Sequence, residues 1–467
     1  MERLSDPLAD WRAERDKEAF LERITRDKQD IVTFVGSRLG WNHAGEFAKC
    51  HVGSLNVGIS VQNSRTQEHV LIRFPIPTKA HRPCPEPWLE QRVKGEVMVL
   101  KYLARHTAIP VPRVYHCGTA KESPKSLGPF IIEEYLKGEN LGDILKARTN
   151  GKKDHPILDP DIDETKLDFV YEQIAGYQLQ LSRLKLPFIG AITSITSSGV
   201  CKIAEPGSTY DMDTVASFTG FSDYYFTFPA TTTGTPKRAK DYFAERARCL
   251  QVALETHCSD WREDENIAWK RYVARQCLEK LVPTYCAPDG EYGDVAGPFR
   301  LFCDGLGPSN MLADPETMSI TAVLDLGFTN ALPAQYIYDV PSWLVLGDPG
   351  TLANKLGKQR FLELFESWKE QYIRAMGRAE ATSPAPRTRT EPLLSARMRE
   401  SWDSGRFWFN LALRRLPRRG RHLLAVSAPR RPGRVDVGRG HACGQGGLFE
   451  AEGGAADCPL EKATRCL

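Results

Sequence analysis

No apolar run in this 467-residue chain approaches the roughly 20 residues needed to cross a bilayer; the longest greasy segments are interrupted by proline, glycine or charge. A membrane-spanning helix is therefore not expected. A Cys-x-x-Cys pair is also lacking. The twelve cysteines are scattered from Cys50 to Cys466, and His116 and Cys117 are adjacent rather than at zinc-ligand spacing, which points to free thiols in a reducing compartment. Neither sign of charge dominates. With 62 basic against 59 acidic residues the net charge is only +3, too balanced to call for a nucleic-acid or anionic-membrane partner. The opening MERLSDPLADWRAERDKEAFLERI is charged throughout and lacks the apolar stretch of a secretory signal. The chain is read as soluble and cytoplasmic.

What is present suits an ordinary globular protein. Hydrophobic residues make up 41% and charged residues 26%, enough apolar surface for a sizeable core. At 467 residues the chain exceeds what one core usually serves, so two lobes are expected.

Leu4, Trp11, Phe20, Leu21 and Ile24 recur at helical intervals, and a second helix is predicted over Ile31–Leu39. Three antiparallel strands follow, at Phe47–Val52, Val57–Val61 and His69–Phe74. Trp88–Leu103 reads as a core-facing helix with Glu96 on the face toward the sheet. Strands at Val114–Cys117 and Phe130–Leu136 then lead into Lys137-Gly138, a hinge between lobes. Beyond it a short helix opens at Glu139-Asn140-Leu141, and longer ones are predicted over Leu167–Leu184, Ala239–His257, Asn266–Tyr285, Gln359–Arg378 and Pro392–Arg415. Two short strands, Phe299–Cys303 and Ile320–Leu326, bracket a turn-rich centre, and Thr193–Arg238 reads as a long insertion.

The expected organisation is an N-terminal helical segment (residues 1–42), an N-lobe of sheet plus helix (43–137), a helical C-lobe (138–415) and a disordered tail (416–467) rich in Arg, Gly and Pro. A shifted reading frame would also explain that tail; a basic arm for RNA is the weaker idea, because spaced aromatics are missing.

The most informative stretch is LFCDGLGPSNMLADPETMSITAVLDL, residues 301–326. Its order of carboxylate, amide and second carboxylate matches the catalytic loop of kinase-like phosphotransferases. With the motifs GSLNVGISV, IPVPRVYHCG, VLDLGFTNALPAQYIYDVPSWLVL and LSARMRESWDSGRFWFNLALRR, the chain from Phe47 to Arg415 resembles the aminoglycoside phosphotransferase-like family. That family is related to choline kinases, and the resemblance is greatest to its large fungal branch.

The resemblance implies a bilobal, protein-kinase-like α+β fold with a small antiparallel N-lobe and a mainly helical C-lobe. It also implies ATP and Mg²⁺ as cofactors and phosphoryl transfer to a small-molecule hydroxyl. Asn310 and Asp325 become metal ligands, hard oxygen donors of the kind Mg²⁺ takes. Gly53, Ser54 and Gly58 are assigned to a turn over the nucleotide phosphates. Arg73 stands where a phosphate-contacting lysine is usual and would pair with Glu96; the alternative is a surface arginine on an edge strand.

The catalytic loop departs from the family pattern. Gly305 stands at the place of the catalytic aspartate, Cys303 at the place usually held by histidine, and the nearest carboxylate is Asp304. Because side chains alternate in an extended segment, Asp304 would face away from where Gly305 faces. Two readings stay open: Asp304 is a base in a loop of altered shape, or the domain is a binding module without phosphoryl transfer, a pseudokinase.

Other candidates are read as structural. Asp339 either supports the catalytic loop or caps the helix after Pro341. Glu133 and Tyr135 are taken to pack or face solvent, Trp402, Phe407, Trp408 and Phe409 to fill the core, and His116 and Cys117 to be buried in a strand.

Overall fold

The structure, a computed structural model, describes residues 7–42, 44–53, 55–77, 86–147, 156–196, 201–203, 236–256, 265–286, 299–383 and 392–414. Ser54, residues 197–200 and 204–235 of the expected insertion, and the tail from 416 onward lie outside the described residues.

Helices α1 (Pro7–Arg26) and α2 (Lys28–Leu39) precede a five-stranded sheet of β1 (Gly45–Val52), β2 (Asn56–Asn63), β3 (His69–Pro75), β4 (Val114–Gly118) and β5 (Phe130–Glu134). The strand order is β1-β2-β3-β5-β4, and every neighbouring pair is antiparallel. Between β3 and β4 the chain forms α3 (Glu86–His106).

The sheet is covered on both faces, which explains the nearly unbroken burial of β2. Val57, Ile59, Val70, Ile72 and Phe74 form a core with Phe20, Ile24, Ile31 and Val35 of α1 and α2. Residues of the other parity, among them Leu71, Arg73, Ile131 and Glu133, take the opposite face. There Val93 and Val97 of α3 close over Ile131.

The second lobe begins with β6 (Glu139–Asn140) and α4 (Leu141–Leu145), then α5 (Glu164–Arg183), β7 (Lys185–Leu186), β8 (Ile192–Ile195) and β9 (Cys201–Ile203). Next come α6 (Ala239–Thr256), α7 (Glu265–Tyr285), β10 (Phe299–Cys303), β11 (Met311–Ala313), β12 (Ile320–Val323) and β13 (Thr329–Leu332). The last helices are α8 (Pro349–Leu356), α9 (Lys358–Thr382), α10 (Leu394–Asp403) and α11 (Arg406–Arg414). This is a two-part α+β architecture: a small antiparallel sheet ahead of a mainly helical region.

Local chemistry sets the crossover between the two parts. Gly138 adopts φ +151, a conformation disfavoured for residues with a Cβ, and a Cβ there would stand 2.8 Å from Thr321 Oγ1 and 2.9 Å from Leu312 Cβ. The chain thus passes tightly against the β11–β12 hairpin, and Thr321 Oγ1 donates to the Lys137 carbonyl at 3.0 Å. Asn140 then caps α4, accepting from the Asp143 N–H, while its amide donates to the Ser309 carbonyl at 2.7 Å.

The C-lobe core centres on α5 and α9. Tyr171 and Tyr372 meet edge to face at 5.4 Å, and the Tyr372 hydroxyl donates to Gln178 Oε1 at 2.7 Å. The Gln178 amide in turn donates to the carbonyls of Ile337 and Asp339, tying the segment after β13 to α5.

Two expectations are corrected here. Glu139-Asn140 forms a short strand paired with β11 before the helix starts at Leu141. The late helix expected over Pro392–Arg415 is two helices, broken at Ser404-Gly405, where Gly405 takes φ +78. Among the described residues no helix is long and apolar enough to cross a membrane.

Candidate active site

Arg73 lies on central β3, flanked by β2 and β5, and not on an edge. Its side chain is nearly buried and reaches two carboxylates. Nη2 donates to Glu96 Oε1 at 2.7 Å, and Nε and Nη2 donate to Glu133 Oε1 and Oε2 at 2.7 and 3.1 Å. The guanidinium fork fits Glu133 in the bidentate manner that lysine cannot supply. Burial works against the Arg73 charge, yet Glu133 and Glu96 hold its pKa well above the usual arginine value. For Glu133, burial raises the pKa, opposed by Arg73 and reinforced by Glu96 and Asp325.

The contact between the two sides runs through Gly327. A Cβ at that position would lie 3.0 Å from Glu96 Oε2, so the Asp325-Leu326-Gly327 turn sits close against α3 and a side chain there would push on the Glu96 carboxylate. Next to it the Arg92 guanidinium stacks over Phe328 at 5.5 Å. Asp325 itself adopts φ +55, a left-handed conformation uncommon outside glycine, asparagine and aspartate.

Asn310 meets this turn from the loop between β10 and β11. The hairpin pairs Met311 with Val323, and the Leu324 N–H donates to the Asn310 carbonyl at 2.8 Å. The Asn310 amide nitrogen donates to the Gly305 carbonyl at 3.0 Å, which leaves the amide oxygen as the acceptor end. A Cβ on Gly305 would stand 2.9 Å from Asn310 Nδ2 and 3.2 Å from the Asp325 carbonyl. An unbroken series of contacts thus runs from Arg73 through Glu96, Gly327 and Asp325 to Gly305 and Asn310.

The donors suit magnesium better than a transition metal. Asn310 and Asp325 offer one amide oxygen and one carboxylate, and Mg²⁺ commonly takes one or two protein carboxylates together with phosphate oxygens. Among the described residues no group of three or more His, Cys, Asp or Glu side chains forms a self-sufficient metal cage.

Asp304, the sole candidate base, is engaged elsewhere. Its Oδ1 accepts from Arg414 Nη1 at 3.1 Å, and both side chains are almost wholly shielded, at 12% and 11% exposure. Arg414 is held in turn over the rings of Phe302 and Tyr336, at 4.7 and 5.4 Å. In the turn that follows β10, the carboxylate reaches α11 through Arg414, while the Gly305 carbonyl accepts from the Asn310 amide. Cys303 is buried, its thiol pushed up to about 12 chiefly by burial, and so is not poised as a nucleophile.

The glycine-turn assignment changes. Gly53 closes the β1–β2 hairpin, and its N–H donates to the Asn56 carbonyl at 2.9 Å. Gly58 lies inside β2, opposite His51 and Arg73; a Cβ there would meet Leu71 Cδ1 at 2.9 Å, so this glycine makes room for packing. Ser54 lies outside the described residues.

Glu133 was missed as a site residue. The strand rule could have found it: antiparallel pairing of Leu71 with Glu133 and Arg73 with Ile131 puts all four on one face. Tyr135, half-buried, stacks on His69 at 4.0 Å, the packing alternative of the sequence reading. Asp339 is not a helix cap: its carboxylate accepts from Ser401 Oγ at 2.5 Å and from Asn410 Nδ2 at 3.0 and 3.1 Å. Phe407, Trp408 and Phe409 are buried, and Trp402 stacks on Phe365 at 5.2 Å, which is packing and not a ligand cage. His116 and Cys117 are exposed on edge strand β4.

No protein-family model matches the sequence, and no curated protein does. Among solved structures the chain is similar to an ethanolamine kinase from Plasmodium vivax, at 14% identity and TM-score 0.41 over 80% of this chain and 76% of that one. It is similar to a choline kinase from Cryptosporidium parvum at 11% identity and TM-score 0.41, over 82% of this chain and 87% of that one. An aminoglycoside phosphotransferase from Streptomyces rimosus, in complex with ADP and streptomycin, matches at 13% identity and TM-score 0.35, over 82% and 98%. These likenesses are remote, and the chemistry open to this chain rests on its own residues.

Proposed function

We propose that this chain is an ATP- and Mg²⁺-binding domain of the small-molecule phosphotransferase type in which phosphoryl transfer is disabled at the catalytic loop. Asn310 and Asp325 would hold the metal, which when bound supplies charge neutralisation at the phosphates. Arg73, Glu96 and Glu133 form the buried ionic cluster that fixes α3 against the sheet beside that site. The Asp325-Leu326-Gly327 turn, seated on Glu96, keeps the metal-binding carboxylate in register with Asn310.

The single observation that carries the reading is the Asp304–Arg414 ion pair. A general base must come within hydrogen-bond reach of the acceptor hydroxyl. Here the loop's one carboxylate is turned to α11, and glycine occupies the position that faces Asn310 and Asp325. Positioning and charge neutralisation remain available, so metal-assisted nucleotide binding survives without efficient transfer.

The test is calorimetric titration with MgATP, followed by measurement of ADP formed over hours by the same samples. Binding with no ADP above background supports the proposal. ADP formation that disappears in Asp304→Asn would instead identify Asp304 as a displaced base and overturn it.

A further inference from the structure

We propose that Glu133 makes nucleotide binding by this chain obligatorily dependent on a divalent cation. The inference rests on the nucleotide-binding reading above and concerns a residue that reading gives no ligand role.

Three of the five guanidinium N–H groups of Arg73 are directed at carboxylates: Nε and one Nη2 hydrogen at Glu133, the other Nη2 hydrogen at Glu96. A phosphate oxygen approaching this guanidinium competes with two anions already 2.7 Å away. Among the described residues that make up the contact series, the charged side chains are Arg73 and Arg92 against Glu96, Glu133 and Asp325, two positive and three negative. Arg92 belongs to the count because its Nη1 lies 3.8 Å from where a Gly327 Cβ would stand. Its guanidinium lies over the Trp88 and Phe328 rings.

Charge at this site is weakly screened, since the Arg73, Glu96 and Glu133 side chains are only 13%, 3% and 4% exposed. ATP without a metal brings several more negative charges into a surplus of the same sign. A divalent cation on Asn310 and Asp325 turns the surplus positive. Removing the Glu133 charge alone makes these five side chains neutral, leaves Glu96 as the carboxylate paired with Arg73 and weakens the hold on the two N–H groups now directed at Glu133, so that a phosphate oxygen competes for them more easily. Glu96 cannot be substituted as cleanly, because its second oxygen also contacts the Gly327 turn. Glutamine at 133 keeps an amide oxygen to accept from Arg73.

The experiment compares dissociation constants for ATP in EDTA and in excess Mg²⁺, for wild type and Glu133→Gln. In the wild type, ATP in EDTA should bind at least about thirtyfold more weakly than MgATP, and the variant should narrow that ratio by about tenfold. Equal affinities in EDTA and Mg²⁺ for the wild type would overturn the inference without any variant, so it does not depend on the folding of Glu133→Gln. An unchanged ratio in a folded variant would also overturn it. No binding of MgATP by the wild type would overturn the nucleotide-binding reading itself, an outcome distinct from either of these.

Discussion

Arg414, in the last turn of α11, reaches the Asp304 carboxylate at 3.1 Å and ties the end of the helical lobe to the catalytic loop. Both groups are shielded, so loss of one leaves the other poorly solvated. Arg414→Ala and Asp304→Ala should each lower stability by about 2–4 kcal/mol, and the double variant should lose less than the sum. A coupling of about 1–3 kcal/mol from urea unfolding of all four proteins is the expected result.

Gly305 should tolerate no side chain without a response from Asn310. In Gly305→Ala the new methyl would lie 2.9 Å from Asn310 Nδ2, so the amide must rotate off the Gly305 carbonyl. The expected cost is about 1–2 kcal/mol, with weaker retention of Mn²⁺ used as a paramagnetic probe. Gly305→Asp restores a carboxylate but carries the same crowding, so it should gain little turnover unless Asn310 is readjusted as well.

The buried Asp339 makes stability depend on pH in a defined direction. Burial raises its pKa to about 6, against the pull of Ser401, Arg414, Arg406 and Asn410, whereas in the unfolded chain it titrates near 3.9. Between those values the folded state holds a proton that the unfolded state has lost. This group's contribution therefore falls as pH rises from about 4 to about 6 and is level above that. Asparagine can accept from Asn410 and donate to Ser401 without the charge. The stability of Asp339→Asn relative to wild type should grow across that window, by on the order of 3 kcal/mol in total, measured by denaturant unfolding at pH 4, 5, 6 and 7.

Much of this architecture was legible in the sequence because short-range rules govern it. β-rich runs located β2 and β3, and the resemblance singled out Asn310 and Asp325, which the structure has at the base of one hairpin where Met311 pairs with Val323. Glu96 followed from helical periodicity on α3. Glu133 was left between packing and facing solvent because its partner Arg73 lies on the neighbouring strand, 60 positions away. Gly58 was assigned to a turn by the family resemblance, although the β-rich run Val57–Val61 already put it in a strand, where the structure has it. The Asp304–Arg414 pair spans 110 positions and depends on the break at Gly405, so nothing near either residue announces it.

The central claim is that Asn310 and Asp325 form a metal-nucleotide site beside the Arg73 cluster. Its most direct measurement is the melting temperature of wild type and Asp325→Asn with MgATP. Selective binding to the native state must raise it. The expected result is a concentration-dependent rise for the wild type that Asp325→Asn abolishes while remaining folded; no rise, or an equal rise in both proteins, would contradict the claim.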